Sequence, residues 1–592
     1  MAPEPKDKLD AAATVVVNGP EDETPDWHAV DWRAVEESVR RLRQRIFTAS
    51  QAGDLARVRS LQKLMLRSRA NTLASVRRVT ERNAGRMTAG VDGELVLSPE
   101  AKMRLAERIH RHEEPWHAQP VRRVFIPKKG GSGKLRPLGI PVVVDRVHQA
   151  RALNALEPEW EARFEPKSYG FRPGRGCHDA ISAIYMLAKG HSPKRLWVLD
   201  ADLASAFDRI THNHILSMLG TFPARGMVKQ WLKAGVVENG RLSPTEEGTP
   251  QGGVISPALL NIALHGMEQA AGVRHRPHDP TRLHTSSPAL IRYADDLVAL
   301  CHTRDEVLEV KARLAAWLTP RGLTFNEDKT RVVTLNEGFD FLGFNVRRYR
   351  DKLLIKPSKA AVRRIRGRLR DELWSLRGAN AAAVMRRLNP IIRGWAAYYR
   401  IAVSSETFTA LDNYVWQLTY KWARHTHPNK PGRWVVDRYF GQFHRTRRAR
   451  WVFGDRDSGA YLLKFAWTRI VRHQMVPGTA SPDDPTLAAY WAERRRKAPP
   501  LPSGRTSSRL YESQDGRCPL CGDWLLPSDD PPQNPHEWET WLATARMTIL
   551  RIVTPTDGTT SETNRGRLIH ARCRHRLAHS GSGPALLPAH EP

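Results

Sequence analysis

Two short apolar runs, Leu290 to Tyr293 and Leu297 to Leu300, close on a pair of adjacent aspartates, Asp295 and Asp296. Runs of this length and composition read as strands, which makes the residues between them the tip of a hairpin. Neighbouring carboxylates at such a tip are costly to desolvate unless a cation holds them. A second buried strand, Leu196 to Leu199, leads into Asp200-Ala-Asp202-Leu-Ala-Ser-Ala-Phe207-Asp208. Alternation puts Asp200 and Asp202 on one face of it, with Phe207 opening the helix that follows. Two strands that brought Asp202 and Asp295 together would build an oxygen-rich site for two Mg2+ ions. Such a pair can clamp an attacking 3′-hydroxyl and a leaving pyrophosphate in phosphoryl transfer. By itself a Tyr-x-Asp-Asp string is usually a solvated turn. Its surroundings decide the matter.

The class of partner follows from charge. The 592 residues carry 93 Lys and Arg against 62 Asp and Glu, a formal net charge of +31. A surplus of that size suits a polyanion, because each neutralised phosphate releases condensed counterions. Hydrophobic residues make up 41%, enough for globular cores, which argues against a wholly disordered basic chain. No run of about 18 apolar residues occurs, so no membrane span or membrane partner is expected. Met1 to Glu23 is acidic and has no long apolar stretch, so no secretory signal is visible. Five cysteines in so long a chain are not a disulfide framework. The expectation is a cytoplasmic, multidomain protein that faces nucleic acid.

Along the chain, Leu55, Val58, Leu61 and Met65 recur at helical steps with Arg57, Arg59 and Lys63 between them. That basic face is either simply solvated or in contact with RNA. Short strand-like runs alternate with helical ones over 96–350, and 351 to about 425 reads as helical and strongly basic. There Ile365, Leu369, Leu373 and Leu376 form an apolar stripe, crowded by Arg363, Arg364, Arg366, Arg368 and Arg370. Pro, Ser and charge over 476–505 suggest a linker ahead of a small Cys/His module.

The motifs around the aspartates run in a fixed order. Arg122-Arg-Val-Phe-Ile-Pro127-Lys128-Lys129 leads through a Gly-rich turn to Lys134-Leu-Arg136-Pro-Leu-Gly-Ile-Pro141. Tyr169-Gly-Phe-Arg172-Pro-Gly-Arg175-Gly-Cys-His178-Asp179 precedes the Asp202 segment, and Gly248-Thr-Pro250-Gln251-Gly-Gly253-Val-Ile-Ser256-Pro257 follows it. Beyond the paired aspartates come Gly322-Leu-Thr-Phe325-Asn326-Glu-Asp-Lys329-Thr330 and Phe341-Leu-Gly343-Phe344. In these blocks the sequence closely resembles the bacterial group II intron-encoded reverse transcriptase/maturases.

The resemblance implies an α+β right-hand polymerase with fingers, an antiparallel palm sheet, an α-helical thumb and a small Cys/His module. It divides the chain into a mobile leader (1–25), an N-terminal reverse-transcriptase extension (26–95), fingers and palm (96–350), and a thumb or maturase domain (351–440). A basic DNA-binding region and linker (441–510), an HNH-like zinc module (511–580) and a tail (581–592) complete it. Asp202 and Asp295 would hold the two catalytic Mg2+ ions, with Asp296 a third carboxylate and the Leu203 carbonyl a further ligand. Lys128 or Lys129, with Arg136, would neutralise the triphosphate of the incoming dNTP. Phe207 would lie beneath the sugar and exclude a 2′-hydroxyl, or else serve as core. Gln251 would touch the nucleotide from the palm side, and Lys329 would protonate leaving pyrophosphate. Phe341 to Phe344 would support the primer terminus, or its aromatics are core.

For the thumb, the resemblance implies contact with intron RNA, for which Arg364, Arg368, Arg393 and Arg400 are the expected contacts. Trp395 and Tyr398 read either as base-stacking platforms or as core anchors. Arg445 to Arg450 sits where the family binds target DNA. Cys518-Pro-Leu-Cys521 and His570-Ala-Arg-Cys573-Arg-His575 supply a structural Zn2+ site of three cysteines and either His570 or His575. The module is similar to an HNH endonuclease, yet the stretch Thr548-Ile-Leu550-Arg551-Ile-Val-Thr-Pro555 lacks the histidine that nuclease needs, and Arg551 cannot replace it because guanidinium stays protonated. The expected function is RNA-directed DNA synthesis and intron splicing during retrohoming, acting on template RNA with a DNA primer in the cytoplasm and at the nucleoid. The alternatives are a splicing maturase with a vestigial polymerase, or a domesticated relative in phage defence or repair.

Overall fold

The fold is described from a computed structural model, over residues 26–111, 115–127, 135–190, 193–444, 446–496, 504–522, 524–526, 531–553 and 566–573. The expected leader lies outside the described residues. Helices α1 (Trp32–Gln51), α2 (Leu55–Arg67) and α3 (Arg69–Arg77) open the chain. Asp31, Asp54 and Ser68 cap them, each side chain accepting from a backbone N–H of the first turn. On α2 the apolar stripe holds at Val58, Leu61 and Met65, which are buried, while Leu55 is 62% exposed. Leu55 is the first residue of its helix and has no turn before it to lean on.

Strand β1 (Val121–Pro127) pairs antiparallel with β2 (Leu135–Ile140). Helices α4 (Val143–Glu161) and α5 (Cys177–Ala188) bracket the loop that carries the Tyr169 motif. The sheet expected to form the palm follows: β3 (Trp197–Asp202), then helix α6 (Ser256–Ala263), β4 (Ala289–Tyr293), β5 (Asp296–Cys301) and β6 (Arg331–Thr334). Its order is β6-β3-β5-β4 and every pairing is antiparallel. One face of the sheet, with Leu199, Ala201, Leu290, Leu297 and Ala299, packs on the palm helices. The opposite face, with Val198, Ile291, Val298 and Leu300, shares a core with the thumb.

A three-stranded sheet joins palm to thumb: β7 (Phe339–Phe341), β8 (Phe344–Tyr349) and β9 (Lys352–Pro357). The helical region therefore starts later than its composition suggests. Leu353, Ile355 and Pro357 alternate inward, and that period of two overrides the helix-forming residues around them. The thumb comprises α7 (Lys359–Ser375), α8 (Ala381–Tyr399), α9 (Ser405–Thr426) and α10 (Gly432–Tyr439). Ile365, Leu369 and Leu373 are buried, whereas Leu376 falls just beyond the end of α7 and is half-buried.

The stretch read as a linker is seated on the body. Arg175 donates to the carbonyls of Gly478 (2.6 Å) and Ala480 (3.0 Å), and Asp483 pairs with Arg43 of α1 (2.7 Å). The C-terminal module contains α11 (Gly504–Ser513), α12 (Pro535–Thr548) and the hairpin β10 (Ile549–Val553) and β11 (Gly566–His570). Among the described residues no helix is long and apolar enough to cross a membrane.

Candidate active site

The register brings the carboxylates together. Asp202 at the end of β3 lies opposite Asp296 at the start of β5, and Tyr293 at the end of β4 lies opposite the same Asp296. Paired residues share a face, so Asp202, Asp296 and Tyr293 stand on one side of the sheet, together with Asp200. The backbone N–H of Leu203 donates to the Asp295 carbonyl (3.1 Å), which fastens the end of β3 to the hairpin tip. Both of the sequence's aspartate segments thus converge on one site.

The tip itself is strained and braced. Ala294 has φ +57°, a left-handed conformation that an alanine adopts only when its surroundings impose it. Behind it, on the opposite sheet face, Arg292 donates to Asn261 Oδ1 (2.8 Å), to Ser168 Oγ (2.7 Å) and to the Ala294 carbonyl (3.3 Å). Asn261 in turn donates from Nδ2 to the Gly170 carbonyl (2.8 Å). Gly170 lies so near that a Cβ there would come 2.4 Å from the Ala294 nitrogen. Burial pulls the Arg292 guanidinium down to about 10. It remains cationic, and its donors are spent on the turn.

The carboxyls of the site crowd one another in a part-buried setting. Burial pushes the Asp295 carboxyl up, and the charge of Asp202 adds to the effect. Burial, then the charges of Asp295 and Asp202, push Asp296 up to about 8. Lys329, held above its ordinary range by its hydrogen bond to Asp202, pairs with that carboxylate, and Asn326 Nδ2 donates to the same oxygen (3.3 Å). Crowded, part-buried carboxylates with hard oxygen donors are the donor set that Mg2+ takes. Asp200 is pushed up to about 6 by burial, with Asp340 and Asp202 adding to it.

Among the residues expected to meet the nucleotide, Arg136 Nε donates to Gln251 Oε1 (2.9 Å) and Gln251 Nε2 donates to Asp208 Oδ2 (3.0 Å). The Gln251 carbonyl accepts from the Gly139 N–H of β2 (2.7 Å), so this loop links fingers to palm. The Phe207 ring is 6% exposed and stands edge-on to Phe171, with centroids 6.1 Å apart. Lys128 and Lys129 lie outside the described residues.

In the segment expected to support the primer, the rings of Phe341 and Phe344 are buried, and the turn Leu342-Gly343 between them is half-buried. Tyr398 and Tyr399 of α8 donate to its carbonyls, at Leu342 (2.8 Å) and Gly343 (3.2 Å). Trp395 and Tyr398 are core anchors, at 4% and 2% exposure. Of the arginines named from sequence, Arg364 is exposed, Arg368 makes a two-pronged pair with Glu539 of α12 (2.7 and 3.1 Å), and Arg393 and Arg400 are half-buried. Arg447, Arg448 and Arg450 are exposed.

In the C-terminal module Cys518, Cys521, His570 and Cys573 present ligand atoms within 4.8 Å of one another. His570 donates from Nε2 to the Trp524 carbonyl (2.9 Å), which turns Nδ1 toward Cys521 (3.3 Å). Hydrogen bonds from Cys521 and Cys573 hold the Cys518 thiol well below its ordinary range. His575 lies outside the described residues.

Sequence pattern alone does not single out Asp208, Asn261 or Arg292. Asp208 stands beside Phe207, and the available signal for Asn261 is an amide in the middle of the apolar run Ala258 to Ala263.

Three family models match the chain: the N-terminal domain of reverse transcriptase over 27–109, reverse transcriptase (RNA-dependent DNA polymerase) over 126–346, and the group II intron maturase-specific domain over 362–440. Protein YkfC of Escherichia coli is 35% identical over 320 residues, 49% of this chain and 84% of that one. The group II intron-encoded protein LtrA of Lactococcus lactis is 38% identical over 158 residues, 26% of each chain. Among solved structures, apo telomerase from Candida tropicalis is similar at a TM-score of 0.31 and 14% identity, over 40% of this chain and 55% of that one. That likeness is too distant to decide anything.

Proposed function

The chain belongs to the group II intron-encoded reverse transcriptase/maturases, RNA-directed DNA polymerases that also act as intron maturases, and from that premise we propose how its own residues divide the work. Asp202 and Asp295 hold two Mg2+ ions, with Asp296 beside them and the Leu203 carbonyl as a further ligand. When bound, such ions lower the barrier to in-line displacement by polarising the phosphoryl oxygens. Arg136, set by Gln251, neutralises the triphosphate of a dNTP together with Lys128 or Lys129. Phe207 closes the space beneath the sugar, favouring deoxyribose by steric exclusion. Lys329 gives up a proton to the departing pyrophosphate. Intron RNA is bound through exposed arginines such as Arg364, and target DNA through Arg447, Arg448 and Arg450.

The observation that carries this reading is the meeting of the Asp202 segment with the Asp295-Asp296 turn at one end of the sheet, where Asp202 lies opposite Asp296, the Leu203 N–H donates to the Asp295 carbonyl and Lys329 is already paired to Asp202. The test is extension of a DNA primer on an RNA template by the purified full chain. Asp295→Asn is expected to abolish synthesis while RNA binding stays within twofold of wild type. Retained synthesis would end the assignment.

The C-terminal module holds one Zn2+ through Cys518, Cys521, His570 and Cys573, and is an HNH-like fold that does not cut DNA. The cluster geometry supports the metal, and the absence of a histidine between His536 and His570 supports the loss of cutting. Nicking of target DNA by the wild-type chain that is lost when His570 or His575 is replaced would overturn the second part.

A further inference from the structure

The residues that lead into α12 run into the polymerase and set one side chain, Gln533, between the catalytic turn and the amino end of α5. Gln533 Oε1 accepts from the Tyr293 hydroxyl (2.8 Å) and from the Cys177 backbone N–H (2.8 Å). Its Nε2 donates to the carbonyls of Arg175 (3.3 Å) and Pro531 (2.5 Å). Both acceptor positions and both donors are in use, a demand that an amide meets and a carboxylate or hydroxyl does not. Tyr293 stands on the same sheet face as Asp202 and Asp296 and is two residues from Asp295.

We propose that Gln533 is a positioning residue of the polymerase, acting through Tyr293 to fix the turn that carries Asp295. On this view the C-terminal segment completes the palm. The inference rests on the polymerase reading and goes beyond it, because it assigns part of the site to a region outside the matched reverse-transcriptase and maturase segments.

A segment lying beside a catalytic turn could instead be a plug that leaves when substrate arrives. Its packing speaks for a permanent seat. Trp538 and Leu542 of α12 are 9% and 8% exposed and belong to the same core as Phe344, Tyr398 and the palm strands. Gly394 of α8 admits α12 so closely that a Cβ there would lie 2.7 Å from the Pro535 carbonyl and from Glu539 Cβ. The Arg368–Glu539 pair closes the other side. Release would uncover all of these together.

The test is primer extension on an RNA template by the full chain, comparing wild type with Gln533→Met, Gln533→Ala, Tyr293→Phe and the Gln533→Met/Tyr293→Phe double variant. Methionine keeps the length of the side chain and removes its hydrogen bonds, so it guards against a variant that merely fails to fold. Loss of one such hydrogen bond is expected to lower kcat about 3- to 10-fold. KM for template–primer should stay within twofold and the melting profile should not change. Because Gln533 acts through Tyr293, the double variant should be no slower than the slower single one. Unchanged kcat, or effects that multiply in the double variant, would overturn the inference. Faster extension or tighter template binding would overturn it too, and would mark the segment as a plug. A wild-type chain that extends nothing would sink the proposed function, a failure separate from an active wild type indifferent to Gln533.

Discussion

In the proposed function, Asp208 is the far end of a relay that sets Arg136, the cation assigned to the nucleotide. Its carboxylate accepts from Gln251 Nε2 (3.0 Å), which leaves Gln251 Oε1 facing Arg136 Nε (2.9 Å). Without Asp208 the amide is free to turn over and present its NH2 group to the guanidinium, donor against donor. A hydrogen bond to a charged group contributes about 1.5–3 kcal/mol. Arg136 is exposed and Gln251 and Asp208 are half-buried, so screening leaves about 1–2 kcal/mol, or roughly 5- to 30-fold in affinity for the nucleotide. Asp208→Ala is therefore expected to raise KM for dNTP by that factor, with a smaller change in kcat. Asp208→Asn keeps an acceptor oxygen in place and should recover most of the loss. Steady-state primer extension at saturating template–primer, with dNTP varied, measures both. A KM within twofold of wild type in a folded Asp208→Ala protein would refute the relay.

Three further outcomes are expected. Asn261→Ala strands the buried Gly170 carbonyl and one Arg292 N–H, each worth about 1–3 kcal/mol, so it should destabilise the palm by about 2–6 kcal/mol; a thermal melt shifted by less than the equivalent of about 1 kcal/mol would tell against the brace. Phe207→Ala opens the floor beneath the sugar and should raise rNTP use relative to dNTP by about 10-fold or more, read from competing incorporation; an unaltered ratio would return Phe207 to a role in the core. Elemental analysis should find about one zinc per chain, lost in Cys573→Ser, and a full complement of zinc in that variant would remove Cys573 from the site.

What the sequence made legible were features carried by local rules. The strands around Asp202 and Asp295 showed their alternation, and their carboxylates met as the pattern required. The cysteine pairs announced their cluster because spacing within each pair is a short-range property, but it left His570 and His575 both open as fourth member, and it is the fold that brings His570 to the cysteines. Features fixed by distant partners stayed hidden. Phe341, Phe344, Trp395 and Tyr398 could stack on bases or pack in a core, and only their neighbours in space settle them in the core. Arg368 looked like its exposed neighbour Arg364, yet Glu539, 171 residues away, engages it. The strand Lys352–Pro357 was lost among basic residues typical of the helices after it, since a pairing partner, not propensity, decides a short strand.

The seat of residues 476–496 bears on any attempt to shorten this chain. Arg43 meets both Glu157 and Asp483, each at 2.7 Å, and burial leaves these groups little water to fall back on. A version cut after the thumb would keep Arg43 and Glu157 but strip Arg175 of two of its acceptors, and would bare the Gly174 surface that Trp491 covers. Trimming for a minimal polymerase thus opens a wound around Arg43 and Arg175, and a stop placed just beyond residue 496 would spare that seat while still taking Gln533 from the Tyr293 turn and Trp538 and Leu542 from the core.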